Sequence, residues 1–220
     1  MHNSVNKLIS LKREILEISH NLNKNKGDAK IIAVSKTFSM SDILPLINHG
    51  HVDFGENKIQ EAMEKWTDIK NDFKKIKLHM IGKLQTNKVK YVLPLFDFIH
   101  SLDNEKLAIK ISNEQKKHVK KPKIFIQVNI GEENQKSGIM KKDLKSFYNF
   151  CKNLNLDIVG LMCIPPFDND PQPFFHEMNS LLKNLKLNEL SMGMSKDYLL
   201  AVQNSSTYIR IGSKIFGDRI

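Results

Sequence analysis

The run Lys30-Ile31-Ile32-Ala33-Val34-Ser35-Lys36 decides the fold. Its apolar core is bounded upstream by Lys26-Gly27-Asp28 and downstream by Thr37-Phe38-Ser39-Met40-Ser41-Asp42. A short run that is apolar at successive positions, rather than alternating, is the pattern of a strand buried on both faces, as in a parallel sheet covered by helices. The stretch 123–130 has the same character. Working outward, strand-like runs recur at 30–35, 51–55, 77–81, 96–101, 123–130, 157–162, 189–192 and 207–211. Helix-like stretches lie between them near 41–49, 56–70, 84–93, 103–119, 140–154, 172–186 and 195–203. About eight strand–helix repeats predict an α/β protein, a compact single TIM-type (β/α)8 barrel. An open doubly wound sheet is the rival, and length alone does not separate the two. Ahead of the barrel, Leu8, Leu11, Ile15, Ile18 and Leu22 are spaced by three and four, which predicts an additional amphipathic helix over about 4–24. No linker divides the chain, so 1–220 reads as one domain, with the barrel over about 28–220. The helix near 41 is expected to open at Ser41-Asp42, with Pro45 in its first turn.

A hydrophobic share of 40% is enough for a real core. No apolar run approaches the ~18 residues of a membrane span, and the N-terminus lacks the apolar segment of a signal peptide. The two cysteines, Cys151 and Cys163, make no framework and sit in apolar surroundings, as inert core thiols of a cytoplasmic protein do. The net charge of +10 raises nucleic acid as a partner. A binding footprint needs that charge gathered on one face. Here lysine is spread through nearly every polar segment. The densest stretch, 116–123, has no interleaved aromatics to stack bases and reads as a solvated helix end leading into a strand. Neither a specific nucleic acid nor a membrane is expected as a partner.

In a barrel the loops after the strands converge on one mouth, so polar residues at strand ends carry the chemistry. Lys36 closes the first strand. Burial of its stem would favour a neutral amine, the form that condenses with an aldehyde; the competing reading is a lysine that merely ends a strand at the solvent edge. Strand two ends Phe54-Gly55-Glu56-Asn57, where Asn57 either meets a ligand or caps a helix. Strand three runs into Gly82-Lys83-Leu84-Gln85-Thr86-Asn87-Lys88. After strand six, the stretch 164–173 holds four of the seven prolines and belongs on the same face. Ser191-Met192-Gly193-Met194-Ser195-Lys196-Asp197 passes from strand to helix, with Ser195 placed to cap the helix. Arg210-Ile211-Gly212-Ser213-Lys214 again offers amides and a hydroxyl at a strand end. Phosphate sites after strands seven and eight are a habit of this fold. Arg210 shares the strand face of Gly212 and reaches the interior below such a phosphate. His49-Gly50-His51 has no third metal ligand nearby and reads as a structural turn. Nothing matches His-Glu-x-x-His, a Walker loop or Gly-x-Ser-x-Gly.

These motifs closely resemble the YggS/PROSC family of pyridoxal phosphate homeostasis proteins. The matching stretches are Ala33-Val34-Ser35-Lys36, Phe54-Gly55-Glu56-Asn57, His79-Met80-Ile81-Gly82, Gln127-Val128-Asn129-Ile130, Lys136-Ser137-Gly138, Gly160-Leu161-Met162, Ser191-Met192-Gly193-Met194-Ser195 and Arg210-Ile211-Gly212 with Ile215-Phe216-Gly217. The resemblance implies a fold-type III barrel, like the N-terminal half of alanine racemase, that binds pyridoxal 5′-phosphate. By that resemblance Lys36 is the Schiff-base lysine. Ser195, Gly212 and Ser213 cradle the phosphate, Arg210 faces the pyridine nitrogen, and Asn57 lies close to the cofactor. Lys214 stands where the family usually has a small residue, and would add positive charge if it faced the mouth. No residue is assigned a catalytic role, and no metal is implied.

The same resemblance implies intracellular cofactor homeostasis: holding pyridoxal 5′-phosphate and supplying it to apo-enzymes, without robust turnover of its own. An arginine at the ring nitrogen makes the ring a poorer electron sink. Two-sided proton transfer also needs a second positioned group; in alanine racemase a second domain supplies it, and the sequence after the eighth strand is too short for one. The alternative is a residual amino-acid racemase or a related fold-type III enzyme. A monomer is expected rather than a dimer.

Overall fold

The computed structural model describes residues 2–21 and 29–218. Leu22, the expected helix end at 22–24, the barrel start at 28 and the last two residues lie outside the described residues. The order of elements is α1 (Asn3–Asn21), β1 (Lys30–Val34), α2 (Met40–Asn48), β2 (Asp53–Glu56), α3 (Ile59–Asp72), β3 (Lys77–Met80), α4 (Val89–Leu95), β4 (Phe98–Leu102), α5 (Glu105–Gln115), β5 (Lys123–Val128), α6 (Leu144–Asn153), β6 (Ile158–Cys163), α7 (Gln172–Asn184), β7 (Glu189–Met194), α8 (Tyr198–Gln203), β8 (Tyr208–Ile211) and α9 (Ser213–Phe216). Single 3-10 turns at Thr86–Lys88 and Lys141–Asp143 lead into α4 and α6.

The sheet closes, which removes the open-sheet rival. β1 pairs in parallel with β2 on one side and with β8 on the other, in register Ile32↔Arg210 and Ala33↔Phe54. All eight strands are parallel neighbours in chain order. The continuous apolar reading of β1 now has its physical cause. Ile31 and Ala33 pack outward into the layer beneath the helices, while Ile32 points inward to Phe98, Phe125, Met162 and Tyr208. Both faces are dry, so neither can alternate with polar residues. α1 lays Val5, Leu8, Leu11 and Ile15 against the barrel's outer helices, touching α2, α8 and α9.

Local expectations needed adjustment at three helix starts. α2 opens at Ser39, not Ser41: the Ser39 backbone N–H donates to Asp42 at 3.1 Å. Pro45 is therefore the sixth helical residue, past the first turn. α8 starts later than expected, and its N-cap is Asp197, whose carboxylate accepts from the Met194 backbone N–H at 2.6 Å. Ser195 lies in the preceding turn and does not cap. α3 has Lys58 as its N-cap, so Asn57 does not cap either. Cys151 and Cys163 are buried, free thiols, each pushed up to about 12 by burial. His51 is buried in the turn before β2, and its Nε2 lies 2.9 Å from the Asp53 carbonyl. Among the described residues no group of histidine, cysteine and carboxylate side chains could hold a metal ion, and no helix is long and apolar enough to cross a membrane.

Candidate functional site

The six residues singled out from the sequence lie on four neighbouring strands. In the closed order β7-β8-β1-β2, Ser195 follows β7, Arg210 ends inside β8, Gly212 and Ser213 follow it, Lys36 follows β1 and Asn57 follows β2. All are at or just past the carboxyl ends of their strands, on one half of one mouth. Gly212 sits next to Val34, the last residue of β1, which ties the β8 end to the strand that carries Lys36. Lys36 and Ser195 are half-buried, and Ser213 is exposed at the first position of α9.

Lys36 stands in a loop held by buried charge. The Glu56 carboxylate is wholly buried, and its Oε1 accepts from the Ser35 hydroxyl at 2.8 Å, the Trp66 indole N–H at 3.0 Å and the Lys65 ammonium at 2.8 Å. Lys65 also donates to the Ser35 carbonyl at 2.9 Å, the Phe38 carbonyl at 3.3 Å and Glu61 at 2.9 Å. One ammonium thus grips the loop on both sides of Lys36. Glu61, in turn, accepts from the Thr37 backbone N–H at 2.5 Å. Thr37 adopts φ +69°, a left-handed conformation that is sterically costly for a β-branched residue. The clamp holds that strained residue immediately after Lys36. Burial works to raise the Glu61 carboxyl's pKa, but the Lys65 and Thr37 donors outweigh it and hold the pKa below its usual value.

Three features of this half of the mouth fit an anionic, hydrogen-bonding ligand. Arg210 is 5% exposed, donates to the Ser191 hydroxyl at 2.7 Å and to the Cys163 carbonyl at 2.9 Å, and has no carboxylate partner among the described residues. Asn57 Oδ1 is buried without a hydrogen-bond partner, a costly state for an amide oxygen. Its position is set by Gly82, where an added Cβ would come within 2.4 Å of the Asn57 carbonyl. Gly212 is the opposite case: its φ is −113° and an added Cβ would meet nothing closer than 3.5 Å, so the protein's own packing does not require a glycine there. Close approach of a ligand to the backbone would. Pyridoxal 5′-phosphate fits this donor set.

Other candidates fall outside the site. Lys214 lies over the Tyr198 ring at the start of α8, 4.8 Å from its centroid. Lys196 lies 4.2 Å from the centroid of the exposed Phe167 ring, which brings the proline-rich loop after β6 beside the β7 loop. Sequence reasoning missed Glu56, Lys65, Asp53, His79, His100 and Ser191 as working residues. Glu56, His79 and Ser191 stood inside the quoted motifs. His79 and Ser191 alternate inward on their short strands, whereas Glu56 faces the helix layer and meets Trp66 and Lys65 of α3; the partners of all three come from distant strands and helices.

Residues 8–220 match the family described as alanine racemase, N-terminal domain. The chain is 34% identical to the pyridoxal phosphate homeostasis protein of Aquifex aeolicus over 227 aligned positions, covering 99% of each chain. It is 37% identical to the human protein of the same name, over 86% of this chain and 76% of that one. Among solved structures, PipY of Synechococcus elongatus without PLP superposes with a TM-score of 0.87 at 31% identity, over 98% of this chain and all of that one. PipY with PLP bound superposes at 0.80 and 32% identity, over 92% of this chain and all of that one. The alanine racemase of Clostridium difficile shares the fold at a TM-score of 0.67 and 15% identity; this chain spans 56% of it.

Proposed function

The chain belongs to the alanine racemase N-terminal domain family, and from that premise we propose that it is a pyridoxal 5′-phosphate homeostasis protein, one barrel domain that holds the cofactor on Lys36. The observation that carries this reading is Arg210. A guanidinium buried with no carboxylate bonded to it keeps donors for an acceptor at the mouth. When bound, pyridoxal 5′-phosphate supplies an aldehyde that condenses with an amine and a ring that can draw electrons from what is attached. Arg210 faces the ring nitrogen and keeps it unprotonated, which weakens that draw. Ser195, Gly212 and Ser213 hold the phosphate through hydroxyls and backbone N–H groups at the ends of β7 and β8. Asn57 offers its unpartnered oxygen from the β2 side. The clamp of Glu56, Lys65 and Glu61 keeps Lys36 aimed while leaving its loop at the rim.

A protein that binds the cofactor firmly but damps its electron-withdrawing power is suited to store and deliver it rather than to turn over amino acids. Apo pyridoxal-phosphate enzymes are its recipients, the cytoplasm its place of action, and the monomer its working form. The relatives at 34% and 37% identity carry the name of homeostasis proteins, which supports the same reading. The test is chemical. Protein loaded with cofactor and reduced with borohydride should yield a pyridoxyl group on the peptide that contains Lys36; a label found only on other lysines would remove Lys36 from the site. The same loaded protein should restore activity to an apo-enzyme while amino acids mixed with it keep their chirality. Sustained racemisation that vanishes in Lys36→Ala would replace storage with catalysis.

A further inference from the structure

A line of buried polar groups crosses the barrel interior beneath the proposed site. His79 Nε2 lies 3.0 Å from Asp53 Oδ1, His79 Nδ1 lies 2.9 Å from His100 Nε2, and His100 Nδ1 lies 2.9 Å from Ser191 Oγ. Arg210 Nη1 donates to that same Ser191 oxygen at 2.7 Å. The five residues stand on β2, β3, β4, β7 and β8, and the Cys163 carbonyl that takes the second Arg210 bond ends β6. His79, His100 and Ser191 are wholly buried; Asp53 is 8% exposed. Each imidazole is pinned by a stacked phenyl ring, His79 on Phe98 and His100 on Phe125, both at 4.3 Å between centroids. The line starts at the first residue of β2, where Asp53 borders a cavity of about 390 Å³ also lined by Lys12, Lys30 and His51. It ends at Arg210, near the other end of the barrel.

The chemistry of the two ends fixes the order of the protons. A carboxylate only accepts, so His79 Nε2 carries the proton shared with Asp53. Neutral His79 then has a bare Nδ1, which His100 must serve from Nε2–H. Neutral His100 in turn has a bare Nδ1, which the Ser191 hydroxyl must serve. Arginine only donates, and the Ser191 oxygen accepts from it. Every bond therefore points the same way, from Arg210 to Asp53, and aligned bonds of this kind strengthen one another in a dry interior. Burial pushes both imidazoles below their usual pKa, in keeping with neutral rings.

We propose that this chain is a positioning device: Ser191, His100 and His79 hold the Arg210 guanidinium in place for the ring nitrogen and connect it through ordered hydrogen bonds to the Asp53 carboxylate at the opposite end of the barrel. The proposal rests on the reading of Arg210 given above. Asp53, His79, His100 and Ser191 are positioning residues and touch no ligand. The arrangement orients a buried cation that makes no hydrogen bond to a carboxylate among the described residues, although, against burial, the Asp197 charge works to raise its pKa. A neighbouring carboxylate would occupy the guanidinium edge the ligand needs; a carboxylate at the end of an ordered chain leaves that edge open.

Nitrogen NMR of the ligand-free wild-type protein at neutral pH tests the proton order. Both His79 and His100 should appear as neutral rings protonated at Nε2. A charged ring, or an Nδ1–H tautomer at either residue, overturns it. Ser191→Ala and Asp53→Asn, loaded with pyridoxal 5′-phosphate, test the positioning. Loss of one bond of the chain should loosen cofactor retention about two- to tenfold and move its visible absorption band, in Asp53→Asn as well, although Asp53 lies away from the mouth. The pyridoxyl label should still reach Lys36 in both. Folded variants that both keep the wild-type band and affinity would leave the chain as interior packing and end the proposal. Wild-type protein that takes up no cofactor would overturn the functional reading and the positioning role together, while the tautomers would still decide the proton order.

Discussion

Around β1 and β2, a network of charged side chains holds the loop that carries Lys36; around β7 and β8, where Ser195, Gly212 and Ser213 stand, a single carboxylate, Asp197, holds the turn through the Met194 backbone N–H, and the rest of the framework is backbone, glycine and short hydroxyl side chains. The first half is self-sufficient. Lys65 shares its three protons among Glu56, Glu61 and two carbonyls of the Lys36 loop, and Glu56 gathers a hydroxyl and an indole as well. The second half leaves its offers open: Ser213 is exposed, and Gly212 has space beside it that none of the described residues fills. The difference suits the chemistry proposed for each. A side chain that forms a covalent link must be aimed, which calls for rigid bracing. A phosphate is recognised by N–H and O–H groups that have no other partner until it arrives. Lys36 should accordingly depend on residues that never touch the cofactor, and the phosphate on residues that contribute little to the fold.

The largest effect should come from breaking the braced half. Lys65→Met leaves the wholly buried Glu56 carboxylate without its cation, and removing one partner of a buried pair costs about 3–5 kcal/mol. Urea unfolding of the ligand-free protein should register that loss. A loss below about 1 kcal/mol would place Lys65 among surface pairs of little consequence and undo the contrast. The open half should respond in the other currency. Ser195→Ala should unfold at the wild-type urea concentration yet bind cofactor roughly ten- to a hundredfold more weakly, since one charge-assisted hydrogen bond contributes about 1.5–3 kcal/mol. Unchanged affinity in equilibrium dialysis would take Ser195 out of the cradle.

Acid should sharpen the same division with a smaller effect per step. His51 is lowered to about 4 by burial and then by the Lys12 ammonium, and His79 and His100 are also lowered, burial being the largest cause in each. In the unfolded chain each would take up a proton near pH ~6.5. A folded value below the unfolded one means that this contribution is complete above about pH 6.5 and is lost as pH falls toward the folded value, by about 1.4 kcal/mol per pH unit for each histidine. His51 stands before β2, and His79 and His100 on β3 and β4, so the loss belongs to the β2–β4 side of the barrel and its floor. His51→Asn should flatten the fall in stability between pH 6 and about pH 5 by one histidine's share. A slope identical to wild type would mean that His51 titrates normally.

Much of this architecture was legible in the chain. All eight strands fell at the strand-like runs of four to eight residues that announced them, and the two that were continuously apolar, 30–35 and 123–130, were so because a strand buried on both faces leaves little room for polar residues. The strand-end residues were legible too, because glycine, serine, asparagine and lysine are out of place beside such runs unless a mouth receives them. The helix starts were less so. Ser41, Asn57 and Ser195 all have side chains suited to capping, yet Ser39, Lys58 and Asp197 take those positions, since a cap is chosen by where the chain leaves the barrel and not by residue type alone.

By itself the sequence determined the number and order of strands, their parallel burial, the leading amphipathic helix and the set of polar residues delivered to one mouth, because these depend on hydrophobic period and on punctuation within a few residues. Only the tertiary structure decided that the sheet closes, that Lys65 and Glu56 brace Lys36, and that Asp53, His79, His100 and Ser191 line up behind Arg210. Those groups lie up to 91 positions apart between bonded neighbours, and no local pattern encodes a hydrogen bond between strands that meet only when the barrel shuts.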